Sequence, residues 1–284
     1  MKPCLICSRD IEPFISFGKM PIANGFLTAD AFPDEFFFEL QAGFCEHCKM
    51  VQLTELVDRE RMFHDSYPFF SSTSARMAVH FESFAREVIG RRVGNDDPFV
   101  VEIGSNDGIM LRHFLRAGIR HLGIEPSANV AATAQAEGIQ TLCRFFDSEL
   151  AGEIVARHGQ ADAFLGANVM CHIPYIHSVV AGIKILLKPT GYVLFEDPYL
   201  GDIVAKTAYD QIYDEHAFYF SLMSVQHLFS RHGMEVVDVQ PQNVHGGSMR
   251  YIIAHQGAYP PTEAVRALAE REREQRLDRR DTFD

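Results

Sequence analysis

The chain has 284 residues, of which 47% are hydrophobic and 23% are charged, and its formal net charge is −12. This composition supports a large buried core and excludes global disorder. The acidic balance also makes nucleic acids and anionic membranes poor partners, because phosphate contacts need clustered Lys and Arg, and it favours a small-molecule substrate.

The sequence has neither the pattern of a membrane span nor that of a secretory signal. The longest apolar stretch, residues 183–195, is interrupted by two lysines, a proline and a glycine, so it is too short to cross a bilayer. We therefore expect a cytoplasmic protein with reduced cysteines, because the cytoplasm disfavours disulfide bonds.

Two CxxC pairs lie near the N-terminus, Cys4 with Cys7 and Cys45 with Cys48. Each pair presents two thiolates in one tight turn, and together the pairs complete a tetrahedral shell for a structural zinc ion. Free thiols or a redox-active CxxC are the alternatives, but two spaced pairs are more specific for zinc than one pair is. Residues 1–66 are therefore predicted to form a loop-rich zinc-binding module with a few strands.

After this module, the pattern changes to helices and then to alternating strands and helices. Apolar residues recur at spacings of three and four over residues 71–92, which predicts a helix. The strands are predicted at residues 99–103, 121–125, 140–144, 162–166, 192–196, 234–239 and 249–254. Helices are predicted at residues 108–117, 127–137, 175–187 and 224–231, with a further helix starting at Asp147. Residues 67–258 thus predict an α/β domain with a mostly parallel sheet, whose ligand lies beyond the carboxyl ends of the strands.

A glycine-containing loop follows the first strand of this domain and opens a helix. Gly104 and Gly108 permit close approach of a ligand, but the loop lacks the GxGxxG and P-loop patterns, so a phosphate cradle is unsupported. Glu102 precedes the loop, and Glu125 ends the next strand, where a carboxylate can accept hydrogen bonds from both ribose hydroxyls. This acidic site favours a cationic nucleoside, S-adenosylmethionine (SAM), although the two glutamates could also be solvated strand ends. The predicted cofactor-binding residues are Glu102, Gly104, Ser105, Asn106, Gly108, Glu125, Pro126 and Asn168.

A group of polar residues follows the strand at 192–196 and is predicted to lie over the cofactor. His216 can take a proton near neutral pH, and Glu215 or Asp214 can orient it or raise its basicity. Tyr213 can hydrogen-bond a developing oxyanion, and His172 follows a neighbouring strand and reaches the same crevice. The alternative is that His216 lies by chance among aromatic residues.

These segments together resemble the SAM-dependent sugar C-methyltransferases of deoxysugar biosynthesis. The resemblance spans residues 1–284, and its combination of motifs is specific although each motif alone is not. Besides the two CxxC pairs, the matching segments are residues 21–27, 102–108, 172–174, 183–189, 213–216, 219–221 and 245–248.

The resemblance implies a Rossmann-like class I methyltransferase sheet behind the zinc module, with SAM as cofactor and a nucleotide-linked 4-keto-6-deoxyhexose as substrate. It implies His216 as the proton acceptor, with Tyr213, Glu215 and His172 lining the active site and Tyr67 on the substrate side. Members of the family continue into a further C-terminal domain, and residues 259–284 are predicted to be a charged, solvated helical tail that begins it. O- or N-methylation of a small natural product and a non-catalytic SAM-binding module are the alternatives, and a nicotinamide oxidoreductase is disfavoured.

Overall fold

The computed structural model describes residues 2–63, 67–91 and 97–283. Within these residues, the N-terminal module is built on an antiparallel sheet whose strand order is β1-β2-β3-β4-β10. Its strands are β1 (Lys2–Pro3), β2 (Asp10–Pro21), β3 (Phe37–Phe44), β4 (Val51–Leu53) and β10 (Phe218–Tyr219). Alternate residues of β3 from Phe38 onward face the module's core, as the period of a strand with one buried face requires.

The last strand of this sheet comes from a distant part of the chain. Phe218 of β10 pairs with Gln52 of β4, and Tyr219 pairs with Val51. The backbone N–H of Leu53 also donates to the carbonyl of Ala217 at 3.0 Å. The zinc module and the α/β domain therefore share one sheet.

The second sheet has seven strands among the described residues, in the order β11-β12-β9-β8-β5-β6-β7. They are β5 (Phe99–Ile103), β6 (Arg120–Ile124), β7 (Thr141–Leu142), β8 (Ala161–Ala167), β9 (Leu187–Pro198), β11 (Met234–Gln242) and β12 (Ser248–His255). Strands β5 to β9 are parallel, whereas β12 is antiparallel to both β9 and β11. The chain order reverses between β5 and β8, and a ligand crevice forms at such a point in an open α/β sheet.

Helices cover both faces of this sheet, which explains why all five residues of β5 are buried. Phe99, Val101 and Ile103 pack with the α5, α6 and α8 face, whereas Val100 packs with the α2 and α3 face. The helices are α1 (Arg59–Met62), α2 (Ala75–Gly90), α3 (Leu111–Arg116), α4 (Ala128–Ala136), α5 (Ser148–His158), α6 (Ile176–Leu186), α7 (Leu200–Lys206), α8 (Leu222–Ser230) and α9 (Glu263–Glu274). Within 2–63, 67–91 and 97–283, no helix combines the length and apolar character needed to cross a membrane.

Several predicted features differ from the structure: the strand at 140–144 is only Thr141–Leu142, and the helix at 108–117 begins at Leu111. The strand predicted at 192–196 begins earlier, at Leu187, because Leu187 already pairs with Ala161 of β8. The charged tail is not wholly solvated, since α9 packs on α8 and β11 and buries Val265, Leu268 and Glu272. The buried Glu272 carboxylate is accommodated because it accepts hydrogen bonds from the backbone N–H groups of α8.

Candidate active site

The four cysteines of the N-terminal module lie together. The Sγ atoms of Cys4 and Cys48 are 3.4 Å apart, as are those of Cys7 and Cys45, and all four lie within 4.8 Å of one another. A tetrahedral zinc ion with Zn–S bonds of ~2.3 Å places its sulfur ligands roughly 3.8 Å apart, so the cluster fits zinc. All four positions of that tetrahedron are filled by protein, which makes this a structural site.

The two CxxC turns have the same backbone geometry. In each turn, the residue after the second cysteine has a positive φ, 61° at Ser8 and 60° at Lys49. Its N–H donates to the carbonyl of the first cysteine of the pair at 2.8 Å. This repeated turn aims both thiols of a pair to the same side, which is what a shared metal ion requires.

A cavity of about 250 Å³ lies at the carboxyl ends of β5, β6 and β8, where the sheet order reverses. Five of the eight predicted cofactor residues line it, namely Gly104, Asn106, Glu125, Pro126 and Asn168. The Oδ1 atom of Asn168 has no hydrogen-bond partner among the described residues, so it is available to a ligand.

The Glu125 carboxylate is held in a fixed orientation at the end of β6. Its Oε1 accepts a hydrogen bond from the N–H of Ser127 at 2.8 Å, and its Oε2 accepts one from the N–H of Asn106 at 3.0 Å. Burial raises the pKa of this carboxyl group. Each oxygen keeps a free lone pair, so the pair fits the two hydroxyls of a ribose.

The other three predicted cofactor residues, Glu102, Ser105 and Gly108, lie behind the cavity wall and do not line it. Gly108 has φ +78°, and a Cβ atom there would lie 2.1 Å from Cδ1 of Ile139. The structure thus places Gly108 where the loop packs on Ile139. Glu102 is fully buried, and its burial next to Glu125 and Asp107 raises its pKa well above the usual value.

Four of the five predicted acceptor-side residues line the same cavity: Tyr67, His172, Tyr213 and Glu215. His216 lies directly behind them and is 2% exposed. Its ring stacks on His172 with centroids 5.1 Å apart and lies 4.3 Å from the Tyr213 ring. The structure therefore brings all five together, with His216 reached through Tyr213 and His172.

The hydrogen bonds of His216 define its protonation state. Its Nδ1 lies 2.8 Å from the carbonyl oxygen of Gln211, which can only accept, so Nδ1 carries the hydrogen. Its Nε2 lies 3.1 Å from the Tyr213 hydroxyl and accepts from it. Burial lowers the pKa of His216 to about 4, so the ring is neutral at pH 7 with a lone pair on Nε2.

Glu215 is held to the N-terminal module. Its Oε1 accepts a hydrogen bond from Nδ2 of Asn24 at 2.6 Å, and Oδ1 of the adjacent Asp214 accepts one from the N–H of Ala23 at 2.9 Å. Burial raises the pKa of Glu215 to about 7, and hydrogen bonding from Asn24 opposes that rise. The acceptor side therefore lies at the contact between the two modules.

Sequence reasoning missed several cavity residues. Asn24 and His245 lie in segments that carry the resemblance, which is the signal that could have found them. Arg59, by contrast, lies in none of the segments that carry the resemblance. Its guanidinium lies over two rings of the cavity wall, 4.2 Å from the centroid of Phe145 and 4.7 Å from that of Tyr175.

Both modules match known protein families. Residues 4–63 match a family described as "Putative zinc binding domain", and residues 78–239, more than half of the chain, match one described as "Methyltransferase domain". Over 248 residues, 87% of the chain, the sequence is 35% identical to the C-methyltransferase NovU of Streptomyces niveus. The chain spans 59% of the length of that relative.

The comparison with solved structures finds methyltransferases of similar fold. An S-adenosylmethionine-dependent methyltransferase from Clostridium acetobutylicum aligns with a TM-score of 0.50 at 9% identity, over 62% of this chain and 92% of that one. The SAH-bound magnesium protoporphyrin IX methyltransferase from Synechocystis aligns with a TM-score of 0.49 at 13% identity, over 70% of this chain and 93% of that one. The predicted α/β methyltransferase fold and the zinc-binding module are confirmed. The chain belongs to the methyltransferase-domain family and joins that domain to an N-terminal zinc-binding domain.

Proposed function

We propose that this protein transfers the methyl group of SAM to a carbon atom next to the ketone of a nucleotide-linked 4-keto-6-deoxy sugar, with His216 as the proton acceptor. The observation that carries the proposal is the hydrogen bond from the Tyr213 hydroxyl to Nε2 of His216, at the wall of the cavity that also contains Glu125. The similarity to a C-methyltransferase supports carbon as the methylated atom.

The first step is removal of a proton from the weakly acidic carbon. Tyr213 stands between the cavity and His216, so its hydroxyl takes the substrate proton as it passes its own proton to Nε2. Burial and the charge of Glu215 raise the pKa of Tyr213, which keeps this hydroxyl protonated before the reaction. The electron pair of the broken C–H bond stays on the substrate as an enolate, and His216 becomes an imidazolium. General base catalysis of this kind contributes roughly 10²–10⁴-fold.

His172 is placed to stabilise the enolate oxygen. Its side chain lines the cavity, and its Nε2 has no hydrogen-bond partner among the described residues. Burial and the neighbouring His216 keep its pKa well below the usual value, so it is a neutral donor.

SAM supplies a methyl group on positively charged sulfur, which the enolate carbon can attack. Glu125 would orient the ribose of this cofactor, and the cavity that Glu125 and Tyr213 both line would bring donor and acceptor together. Such positioning contributes on the order of 7–11 kcal/mol in well-oriented reactions.

Glu215 is a second candidate for the base, because its carboxylate lines the cavity directly. Its pKa of about 7 is also closer to the operating pH than that of His216. The two candidates make opposite predictions for the pH dependence of proton removal.

The test is solvent deuterium exchange at the substrate carbon, without SAM, followed by NMR. A base must be unprotonated, so proton removal by His216 gives a nearly constant exchange rate over roughly pH 6 to 9, above its folded pKa. Proton removal by Glu215 instead gives a rate that rises with pH through about 7. We expect the constant profile, and a roughly 10²–10⁴-fold loss of exchange in His216→Gln.

Methyl transfer is measured in the same samples with isotopically labelled SAM and a panel of keto-deoxysugar nucleotides. The product is expected to carry the label on carbon, as its NMR shift shows. Binding of S-adenosylhomocysteine (SAH) to His216→Gln, measured by calorimetry, controls for misfolding. A label on oxygen or nitrogen, or normal exchange by the His216→Gln variant, would refute the proposal.

A further inference from the structure

Residues 67–73, which we name the strap, precede α2 in the chain and form part of the cavity wall. Tyr67, Phe69 and Ser71 of the strap line the cavity. The strap forms no strand pairing, and it ends in a single 3₁₀ turn, Ser71–Thr73. Its position must therefore be set by side chains that hold its backbone.

Those side chains belong to the cofactor-binding loop. Asn106 makes two of the bonds: its Oδ1 accepts from the N–H of Ser71 at 2.9 Å, and its Nδ2 donates to the carbonyl of Phe69 at 3.1 Å. Oδ2 of the adjacent Asp107 accepts from the N–H of Ser72 at 2.9 Å. The loop thus holds three polar groups of the strap backbone.

A further bond comes from the helix that follows β6. Nδ2 of Asn129 donates to the carbonyl of Tyr67 at 2.9 Å. Both ends of the strap are therefore fixed to the cofactor side of the cavity.

Asn106 also contacts the carboxylate that is aimed at the ribose. Its backbone N–H donates to Oε2 of Glu125 at 3.0 Å. Its φ is +49°, a left-handed conformation that Asn adopts more readily than most residues. Asn106 thus joins the ribose-binding carboxylate to the strap. Asparagine suits this position because it adopts a positive φ and because its side-chain amide both accepts and donates a hydrogen bond.

The strap extends this connection to the acceptor side. Tyr67 lies beside Glu215, and burial together with the charge of Glu215 raises the pKa of Tyr67. Moving the strap therefore moves Tyr67 relative to Glu215 and the acceptor.

We propose that Asn106 is a positioning residue that couples cofactor binding to the placement of Tyr67 through the strap. A ribose bound to Glu125 fixes the loop at Asn106, and Asn106 then fixes the strap over the cavity. The coupling is reciprocal. The factor by which a bound cofactor stabilises the strap in its observed position is also the factor by which that position strengthens cofactor binding. The role of Tyr67 at the acceptor rests on the proposed function, whereas the coupling between cofactor and strap does not.

The chain contains no tryptophan, so a single introduced tryptophan reports on its own surroundings. Phe69→Trp places the reporter on the strap, and Val79→Trp places it on the exposed surface of α2 as a control. SAH is expected to change the emission of Trp at position 69 and to leave that at position 79 unchanged, while calorimetry shows that both proteins bind SAH.

A matched pair of strap variants isolates the bond to Asn106. Ser71→Pro removes the N–H that donates to Asn106, whereas Ser71→Ala keeps it, and both remove the hydroxyl. Proline is compatible with this position, because Ser71 is the first residue of the 3₁₀ turn and Phe70 before it is extended, with φ −116° and ψ 114°.

In the Phe69→Trp background, Ser71→Ala is expected to keep the SAH-induced emission change and Ser71→Pro to lose it. The SAH dissociation constant should rise about two- to tenfold in Ser71→Pro, the range expected for one hydrogen bond. Asn106→Gly keeps the positive φ without strain but removes both side-chain bonds to the strap, so it should lose the emission change and raise the SAH dissociation constant at least as much as Ser71→Pro does. The double variant should lose little more than Asn106→Gly alone.

The proposal is overturned if SAH binds but the emission of Trp at position 69 does not change, or if Ser71→Pro and Ser71→Ala respond alike. Normal coupling with no methyl transfer to any keto sugar would instead refute the proposed function alone. With a confirmed substrate, Ser71→Pro is expected to lower kcat more than Ser71→Ala does, because Tyr67 is displaced.

Discussion

Asp197 is a buried carboxyl group near the carboxyl end of β9, and its environment gives it an unusual titration. It is 1% exposed, and burial raises its pKa to about 8, with the neighbouring charge of Glu196 adding to the rise. In an unfolded chain, the pKa of an aspartic acid is about 3.9. The folded state therefore binds a proton that the unfolded state releases over the interval between these values.

This difference predicts how stability depends on pH. The contribution of Asp197 is fully present below the unfolded pKa and is lost as pH rises through about 8. We expect Asp197→Asn, which is neutral at every pH, to raise the melting temperature at about pH 8.5 and to have much less effect near pH 5. Calorimetry at both pH values, with the exposed Asp34→Asn as control, measures this. An equal effect at the two pH values would contradict it.

At the scale of elements, the C-terminal helix α9 is fixed to α8 by one buried side chain. The Glu272 carboxylate accepts from the N–H groups of Leu222 at 2.6 Å and Met223 at 3.1 Å, and from the Tyr199 hydroxyl at 3.1 Å. It therefore lies at the N-terminus of α8, where the helix dipole favours negative charge. Glu272 follows Val265 and Leu268 at helical spacing. It therefore lies on the buried face of α9, where the pattern would place an apolar residue.

Removing this carboxylate should destabilise the domain. Glu272→Ala leaves two buried N–H groups without acceptors, and we expect a loss of roughly 2–4 kcal/mol in the free energy of unfolding. Urea denaturation measures this loss. Glu270→Ala, an exposed position on the same helix, is the matched control and should change stability by less than about 0.5 kcal/mol. Similar effects of the two substitutions would show that α9 is held by its apolar residues alone.

Local patterns predicted the elements well and the site in part. The largely apolar strand β5, the glycine loop after it and the two CxxC turns are each encoded within a few residues, so the sequence was sufficient to place them. The sequence could not show which residues of the loop face the cavity, and Glu102, Ser105 and Gly108 lie behind its wall.

The contacts that the sequence did not reveal join distant parts of the chain. Asn24 and Glu215 are 191 positions apart, and no periodicity or spacing relates them. Glu272 resembled the other charged residues of the tail, because only the packed structure shows that its neighbours are backbone N–H groups of another helix.

At the scale of the whole molecule, the zinc module and the acceptor side share a sheet. Strand β10, which pairs with β4, begins two residues after His216. The four-cysteine cluster lies outside the cavity, yet the module that a bound zinc ion would stabilise fixes the strand that follows the proposed base. Glu125 and the loop after β5 instead follow strands of the seven-stranded sheet.

Loss of zinc should therefore affect methyl transfer more than cofactor binding. We expect Cys45→Ser to lose the metal and to reduce methyl transfer at least ~10²-fold, comparable to the loss of a general base, while SAH still binds. Metal analysis, the labelled-SAM assay and calorimetry measure the three quantities. Cys143→Ser, which alters an exposed thiol outside the cluster, is the control. Full activity in metal-free protein would contradict the prediction.

The shared sheet also constrains how such chains can recombine during evolution. A chimaera that takes its first 63 residues from one homologue and the remainder from another must join a β4 edge to a foreign β10 and Asn24 to a foreign Glu215. The two regions must therefore be inherited together or adapt jointly, although each matches a separate family.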